Sequence, residues 1–164
     1  MANAALSFSF KVADTPGEFE QARNLFQQYA DSLGVDLSFQ NFSTELETIA
    51  TQYYKPRGAL LLAFCDNDAI GCAAIRELDK ETAELKRMYV IDEYRQHKIG
   101  RRLLELSINL AAELQYQKIR LDTLPSMTQA QSLYRKFGFY EIEPYRFNPI
   151  EGTVYMEKKI ESSN

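Results

Sequence analysis

AELKRMYVIDEYRQHKIGRRLLELSINLAAELQ (83–115) decides the fold. Residues 83–90 read as a strand. Residues 99–115 read as a helix, with Ile99, Leu103, Leu106, Leu110 and Leu114 on one stripe widened by Leu104, Ile108 and Ala111. Between them lies a turn with a single glycine, Gly100. Backbone N–H groups at such a helix start are unpaired and, with the helix dipole, attract anions. Arg95, Lys98, Arg101 and Arg102 put four positive charges into eight residues of a chain whose net charge is −4. A solvated helix start with scattered charge would read the same way on composition alone. Yet cations at a helix N-terminus oppose the dipole and need a reason. The turn contains neither GxGxxG nor GxxxxGK[ST], so a dinucleotide fold and a P-loop are both excluded. The anion expected here is a phosphate held by another kind of turn.

Working outward, SFSFKV (7–12) alternates as a strand. Thr15, Pro16 and Glu18 form a capping box that opens a helix carrying Phe19, Ala22, Leu25, Phe26, Tyr29 and Leu33, which Gly34 ends. A polar and aromatic loop, VDLSFQNF (35–42), precedes a short helix over about 44–51. ALLLAFC (59–65) and AIGCAAIREL (69–78) form a hairpin about Asp66-Asn67-Asp68. KIRLDTL (118–124) is a strand, and Ser126 with Gln129 reads as a second capping box for a helix ending at Gly138. GFYEIE (138–143) and TVYMEKKI (153–160) supply two closing strands. The order predicts one domain over 1–164, an α/β sandwich around one mixed, mostly antiparallel sheet of about 6–7 strands with about 4 helices.

The 164 residues suffice for a real core, and the apolar (45%) and charged (26%) fractions are those of a soluble globular protein. The sequence pI of about 5.1 argues against general nucleic-acid binding. No run is apolar enough to cross a bilayer, and MANAALSFSFKV (1–12), without a basic n-region or long h-region, does not lead one to expect a signal peptide. Cys65 and Cys72 read as reduced, buried thiols, and one histidine gives little for a metal site. A cytoplasmic protein with no metal, no nucleic-acid partner and no membrane attachment is the expectation.

ELKRMYVIDEYRQHKIGRRLLE (84–105), IRLDT (119–123) and AQSLYRKFGFYE (130–141) resemble the GNAT superfamily of acyl-CoA-dependent N-acetyltransferases. The tail PYRFNPIEGTVYMEKKI (144–160) is similar to small bacterial-type members. The resemblance implies a GNAT-like fold and acetyl-CoA as co-substrate. The family's pyrophosphate pattern, Arg/Gln-x-x-Gly-x-Gly/Ala, falls on Arg95 and Gly100, with Lys98 in place of the middle glycine. Gln96, His97, Lys98, Ile99, Gly100 and Arg101 would form the cradle, with the Lys98 ammonium beside the phosphates. If the position requires φ > 0, Lys98 costs about 1 kcal/mol or more. The backbone of Met88 and Val90 would pair with the pantetheine arm, Tyr89 or Met88 would supply an oxyanion N–H, and Ser126 joins the co-substrate set. A pantetheine-binding asparagine of the family is replaced here by Met127.

Acetyl transfer needs an amine freed of its proton, a polarised carbonyl and a protonated thiolate. The resemblance places Tyr134 beside the sulfur as the acid, and Glu84 where many members carry a base, with a pKa raised by an apolar cleft. Tyr89 lies on the opposite strand parity from Glu84. The acceptor, a small-molecule amine or amino acid, would meet Phe39, Phe42, Tyr145 and Asn148, with Tyr53, Tyr54 and Phe147 as further aromatic candidates. Arg76, Arg87 and Asp122 are unranked strand charges. The alternatives are a non-catalytic acyl-CoA-binding or regulatory module, and an acetyltransferase acting on a protein N-terminus or lysine; a homodimer is compatible with either.

Overall fold

The computed structural model describes residues 5–34, 36–38 and 41–161. Strand β1 (Phe8–Val12) leads to helix α1 (Pro16–Leu33), then to two short helices, α2 (Phe42–Glu47) and α3 (Ile49–Gln52). Strands β2 (Ala59–Cys65), β3 (Asp68–Glu77) and β4 (Thr82–Val90) follow. A single 3₁₀ turn over Asp92–His97 joins β4 to helix α4 (Ile99–Glu113). Strand β5 (Lys118–Thr123), helix α5 (Thr128–Lys136) and strands β6 (Tyr140–Ile142) and β7 (Val154–Lys159) complete the chain. The sheet has seven strands in the order β1-β2-β3-β4-β5-β7-β6, with β4 and β5 parallel and every other pair antiparallel.

Local chemistry explains most element ends. Thr15 Oγ1 accepts from the Glu18 amide (3.2 Å) and Glu18 Oε1 accepts from the Thr15 amide (3.0 Å), so the first capping box forms. Gly34 ends α1 at φ 66°, the left-handed region a side chain avoids. The second box does not form: α5 begins at Thr128 after Met127, with no side-chain cap. The short helix expected over 44–51 is broken in two at Thr48, whose hydroxyl bonds back to the Thr44 carbonyl (2.6 Å).

Two cores lie on opposite faces of the sheet. On one, α4 and Tyr134 pack on Leu61, Ile75, Leu85 and Ile119. On the other, α1 and α3 pack on Leu60, Leu62, Cys72 and Ala74. Both cysteines are buried free thiols. No described helix is long and apolar enough to cross a membrane.

Two irregularities of β4 create the site. First, Cys72 pairs with Tyr89 and Ala74 with Lys86, so between these pairs one residue of β3, Ala73, faces two of β4, Arg87 and Met88. Arg87 is the bulged residue, at φ 56°. The extra residue changes the parity of the strand beyond it. Tyr89 therefore packs on the α1 side, the side on which Glu84 meets Arg76, and not opposite to it as uninterrupted alternation predicts. Second, β4 and β5 pair over only three rungs, Thr82↔Lys118 to Glu84↔Arg120. Beyond Glu84 the two strands part like a fork.

Candidate active site

The fork opens into a cavity of about 670 Å³. Its walls are the β4 limb (Leu85, Arg87, Met88, Tyr89, Val90), the β5 limb (Leu121, Asp122, Thr123) and Tyr134 on α5. Lys98, Gly100 and Arg101 of the turn and helix α4, and Tyr29 and Ser32 of α1, also line it. Thus Met88, Tyr89, Val90, Arg95, Lys98, Gly100, Arg101, Ser126 and Tyr134, widely separated in sequence, converge on one cavity. Gln96, His97 and Ile99 are not among its lining residues. Ile99 is a core residue of α4, and His97 packs its ring 5.2 Å from that of Phe8.

The turn is built by its own side chains. Arg95 Nε donates to the Val90 carbonyl (3.0 Å), Arg95 pairs with Asp92 (2.7 Å), and its guanidinium lies 5.8 Å from the Tyr89 ring. Lys98 closes the turn at φ 60°, ψ 27°, the left-handed conformation glycine would adopt without cost. A lysine there costs about 1–2 kcal/mol. Gly100 has the opposite character. Its φ is unexceptional, and an added Cβ would lie no nearer than 3.9 Å to any neighbour, Val90 Cγ2. Among the described residues nothing crowds this helix start enough to demand a glycine. Close approach of a ligand's phosphate to the backbone would. With Lys98 and Arg101 beside Gly100 in the turn and on the same cavity, the residues fit a pyrophosphate.

The buried charges below the turn are sorted by the bulge. Arg87 Nε and Nη2 donate to Glu45 of α2 at 2.9 and 2.8 Å, a two-pronged buried pair, and the guanidinium lies 5.3 Å from the Phe42 ring. Burial and the Arg87 charge push Lys86 down to about 8. Burial alone would raise the Glu84 carboxyl, but the cations Lys86, Arg76 and Arg146 outweigh it and hold the group below the usual carboxylate range. This corrects the expectation of a raised pKa at Glu84. Moreover, Glu84 is not among the residues lining the cavity; it bonds to Arg76, Tyr145 and Arg146.

Asp122 is the carboxylate that reaches the cavity. Its Oδ2 is buried and has no hydrogen-bond partner among the described residues. A buried acceptor left unpaired costs about 1–3 kcal/mol, more if charged, unless a ligand meets it. Sequence reasoning left Asp122 unranked beside Arg76 and Arg87. The missed signal was its position on the β5 limb beyond the last β4–β5 rung, which only the register reveals. Tyr134 is buried, and burial raises its hydroxyl well above the ordinary range for a phenol. Tyr29 is likewise pushed up to about 12, so both stay protonated at neutral pH.

The aromatic candidates for the acceptor wall mostly do other work. Phe39 lies outside the described residues. Phe42 stacks with Arg87, Tyr53 is wholly buried against Phe26, and Tyr54 donates to Asp14 (2.8 Å). Tyr145 does not line the cavity and Phe147 points outward, 81% exposed. Asn148, with Leu33, Leu37 and Ile150, lines a small notch of about 30 Å³ that shares Tyr29, Arg87 and Asp122 with the main cavity. No cluster of three or more potential metal ligands is found among the described residues.

Residues 20–139 match the Acetyltransferase (GNAT) family. The chain is 36% identical to an uncharacterized N-acetyltransferase of Schizosaccharomyces pombe over 152 residues, covering 92% of this chain and 93% of that one. It is 28% identical to an uncharacterized N-acetyltransferase of Dictyostelium discoideum, covering 88% and 95%. Among solved structures, a GNAT-family acetyltransferase from Staphylococcus aureus Mu50 superposes with a TM-score of 0.79 at 23% identity, covering 94% of this chain and all of that one. A parallel β4–β5 fork inside an otherwise antiparallel sheet, a phosphate-ready helix start and these relatives converge: the chain belongs to the GNAT family and is an N-acetyltransferase.

Proposed function

We propose that this protein moves the acetyl group of acetyl-CoA to the primary amine of a small molecule, with Asp122 as base and Tyr134 as acid. The observation that carries this reading is the convergence of the Lys98–Arg101 turn, the β4–β5 fork, Asp122 with its unpartnered Oδ2, and Tyr134 on one cavity. GNAT acetyltransferases generally draw the acetyl group from acetyl-CoA. The amide N–H groups at Gly100, with the Lys98 and Arg101 charges, would hold the pyrophosphate. The limb from Met88 to Val90 would lie along the pantetheine as an added strand does, its free edge supplying hydrogen bonds and an oxyanion N–H near Tyr89.

In the transfer, a bond forms from the amine nitrogen to the acyl carbon while the carbon–sulfur bond breaks. Asp122 takes the proton the amine must lose. Its placement serves twice, because an anion at the cavity wall also draws a protonated amine to the reacting position. Burial keeps Tyr134 neutral and makes it a weaker acid than a free phenol, so it hydrogen-bonds the departing sulfur and passes on its proton only because the same dry wall raises the proton affinity of the thiolate beside it. The notch lined by Leu33, Leu37, Asn148 and Ile150 fits a short apolar group on the acceptor.

Calorimetric titration with acetyl-CoA, followed by thiol release against a panel of small amines, tests the reading. Micromolar binding that Lys98→Ala weakens and Gly100→Glu abolishes, with amine-dependent thiol release, supports it. Absence of binding would favour a non-catalytic module. Binding with release only against peptide N-termini or lysine side chains would move the acceptor class to proteins.

A further inference from the structure

Glu84 is wholly buried, yet the transfer reading gives it nothing to do. Its Oε1 accepts from Arg76 Nε on β3 (2.9 Å). Its Oε2 accepts from the Tyr145 hydroxyl (2.9 Å) and from Arg146 Nη2. Tyr145 and Arg146 belong to the loop over 143–153 between β6 and β7, so one carboxylate ties that loop to the last rung of the β4–β5 fork. The knot has a second layer. The Tyr145 ring meets Tyr155 edge-on at 5.4 Å, and the Arg120 guanidinium lies 5.6 Å from its centre. The Tyr155 hydroxyl donates to the Arg146 carbonyl (2.9 Å).

The loop has little else to fix it. Its internal bonds join Asn148 Oδ1 to the Ile150 amide (2.9 Å) and Thr153 to the Ile150 carbonyl (2.7 Å). Glu143, Pro144, Phe147, Pro149 and Glu151 are exposed. Little apolar burial holds such a segment, so its position depends on the charged knot. A few residues past that knot, Asn148 and Ile150 form the wall of the notch beside Asp122.

We propose that Glu84 is a positioning residue: a buried latch that holds the 143–153 loop against the sheet and so sets the acceptor-side wall of the cavity. The latch stands on the contacts above; only the identity of what the wall faces rests on the acetyl-transfer reading. A base must be able to lose its partners and gain a proton each turnover. A latch must keep its partners throughout, and three donors on one carboxylate suit the second task.

The test uses the full chain as wild type, Glu84→Gln, Tyr145→Phe and Arg146→Lys. Hydrogen exchange is followed with acetyl-CoA present, and steady-state kinetics use isobutylamine as the probe amine. The latch predicts exchange in 144–150 faster by about tenfold or more in Glu84→Gln and Tyr145→Phe, with β4 and α4 unchanged. It predicts an isobutylamine KM raised by about fivefold or more, kcat within about twofold, and the acid limb of the kcat/KM profile retained. Arg146→Lys keeps the charge and retains much of the wild-type KM. The double variant Glu84→Gln/Tyr145→Phe falls little below Glu84→Gln alone, as partners in one network should. Wild-type exchange in Tyr145→Phe overturns the latch. So does a fall in kcat of about a hundredfold or more in Glu84→Gln with the acid limb lost and loop exchange unchanged, which would make Glu84 the base. If Glu84→Gln does not fold, Tyr145→Phe and Arg146→Lys decide. If wild type leaves isobutylamine untouched, the exchange arm still judges the latch, while the choice of acceptor fails separately.

Discussion

Glu84 and Asp122 sit on neighbouring strands, one at the last rung of the fork and the other just beyond its mouth. Each is a carboxylate with a buried oxygen, and their surroundings are opposite. Glu84 meets two arginines and a tyrosine hydroxyl; Asp122 Oδ2 meets none among the described residues. Burial raises a carboxyl pKa, and nearby cations lower it. At Glu84 the cations win. The lesson is that residue type and strand position nominate a carboxylate, while the partners already engaged set its charge balance and hold it in place. Glu45, held by Arg87, stands with Glu84 on the occupied side of that divide.

Substitution at the two positions should break in different quantities. Asp122→Asn is expected to lower kcat by about 10²–10⁴-fold, the usual worth of a positioned base, and to leave thermal stability little changed, since the Oδ2 it alters has no hydrogen bond among the described residues to lose. Thiol-release kinetics beside a melting curve would check both halves. A variant that melts early and still turns over would reverse the assignment.

On the occupied side the expected loss is stability. Glu45→Ala leaves Arg87 buried without its two-pronged partner and should cost about 3–5 kcal/mol, a drop of roughly 10 °C in Tm. Differential scanning calorimetry reads this directly.

Acid sharpens the same contrast. The folded-state pKa values of Glu84 and Glu45 are lowered, so the unfolded chain takes up their protons first as pH falls. Their contribution is complete above about pH 4.5 and is lost on descending through the lower folded values. Urea midpoints should therefore fall steeply from about pH 4.5 downward, and the fall should be shallower in Glu84→Gln.

The smallest effect is expected at Lys98. Lys98→Gly relieves the left-handed backbone and should stabilise the apo protein by about 1 kcal/mol, while weakening acetyl-CoA binding several-fold through loss of the ammonium. Denaturant midpoints and calorimetric titration would separate the two signs.

Much of this was legible in the sequence. Seven strands, the long helices α1 and α4 and the phosphate-ready turn follow from periodicity, capping residues and a local excess of cations. The convergence of Lys98, Gly100, Arg101 and Tyr134 on one cavity follows the family resemblance. What was not legible depends on register. One bulged residue, Arg87, reverses the parity of Tyr89, and no local pattern in KRMYV announces it. The saturation of Glu84 needs Tyr145 and Arg146, some sixty positions away, and the nakedness of Asp122 is an absence that only packing can reveal. The missing cap at Ser126 shows the converse: residues of the right type at the right spacing do not cap when Met127 takes the position at the helix start.

The three-rung join between β4 and β5 has a consequence for the whole molecule. A sheet is as strong as its ladders, and this one is nearly cut through at the middle, with α4 lying across both sides of the gap. A guest that laid its own amides along the open edge would act as a suture between the two halves. Occupancy would then be felt as toughness: at a hundred times its dissociation constant, such a guest adds about 2.7 kcal/mol to the folded state. Occupied and empty protein would differ in resistance to unfolding for that reason alone, before any acetyl group is moved.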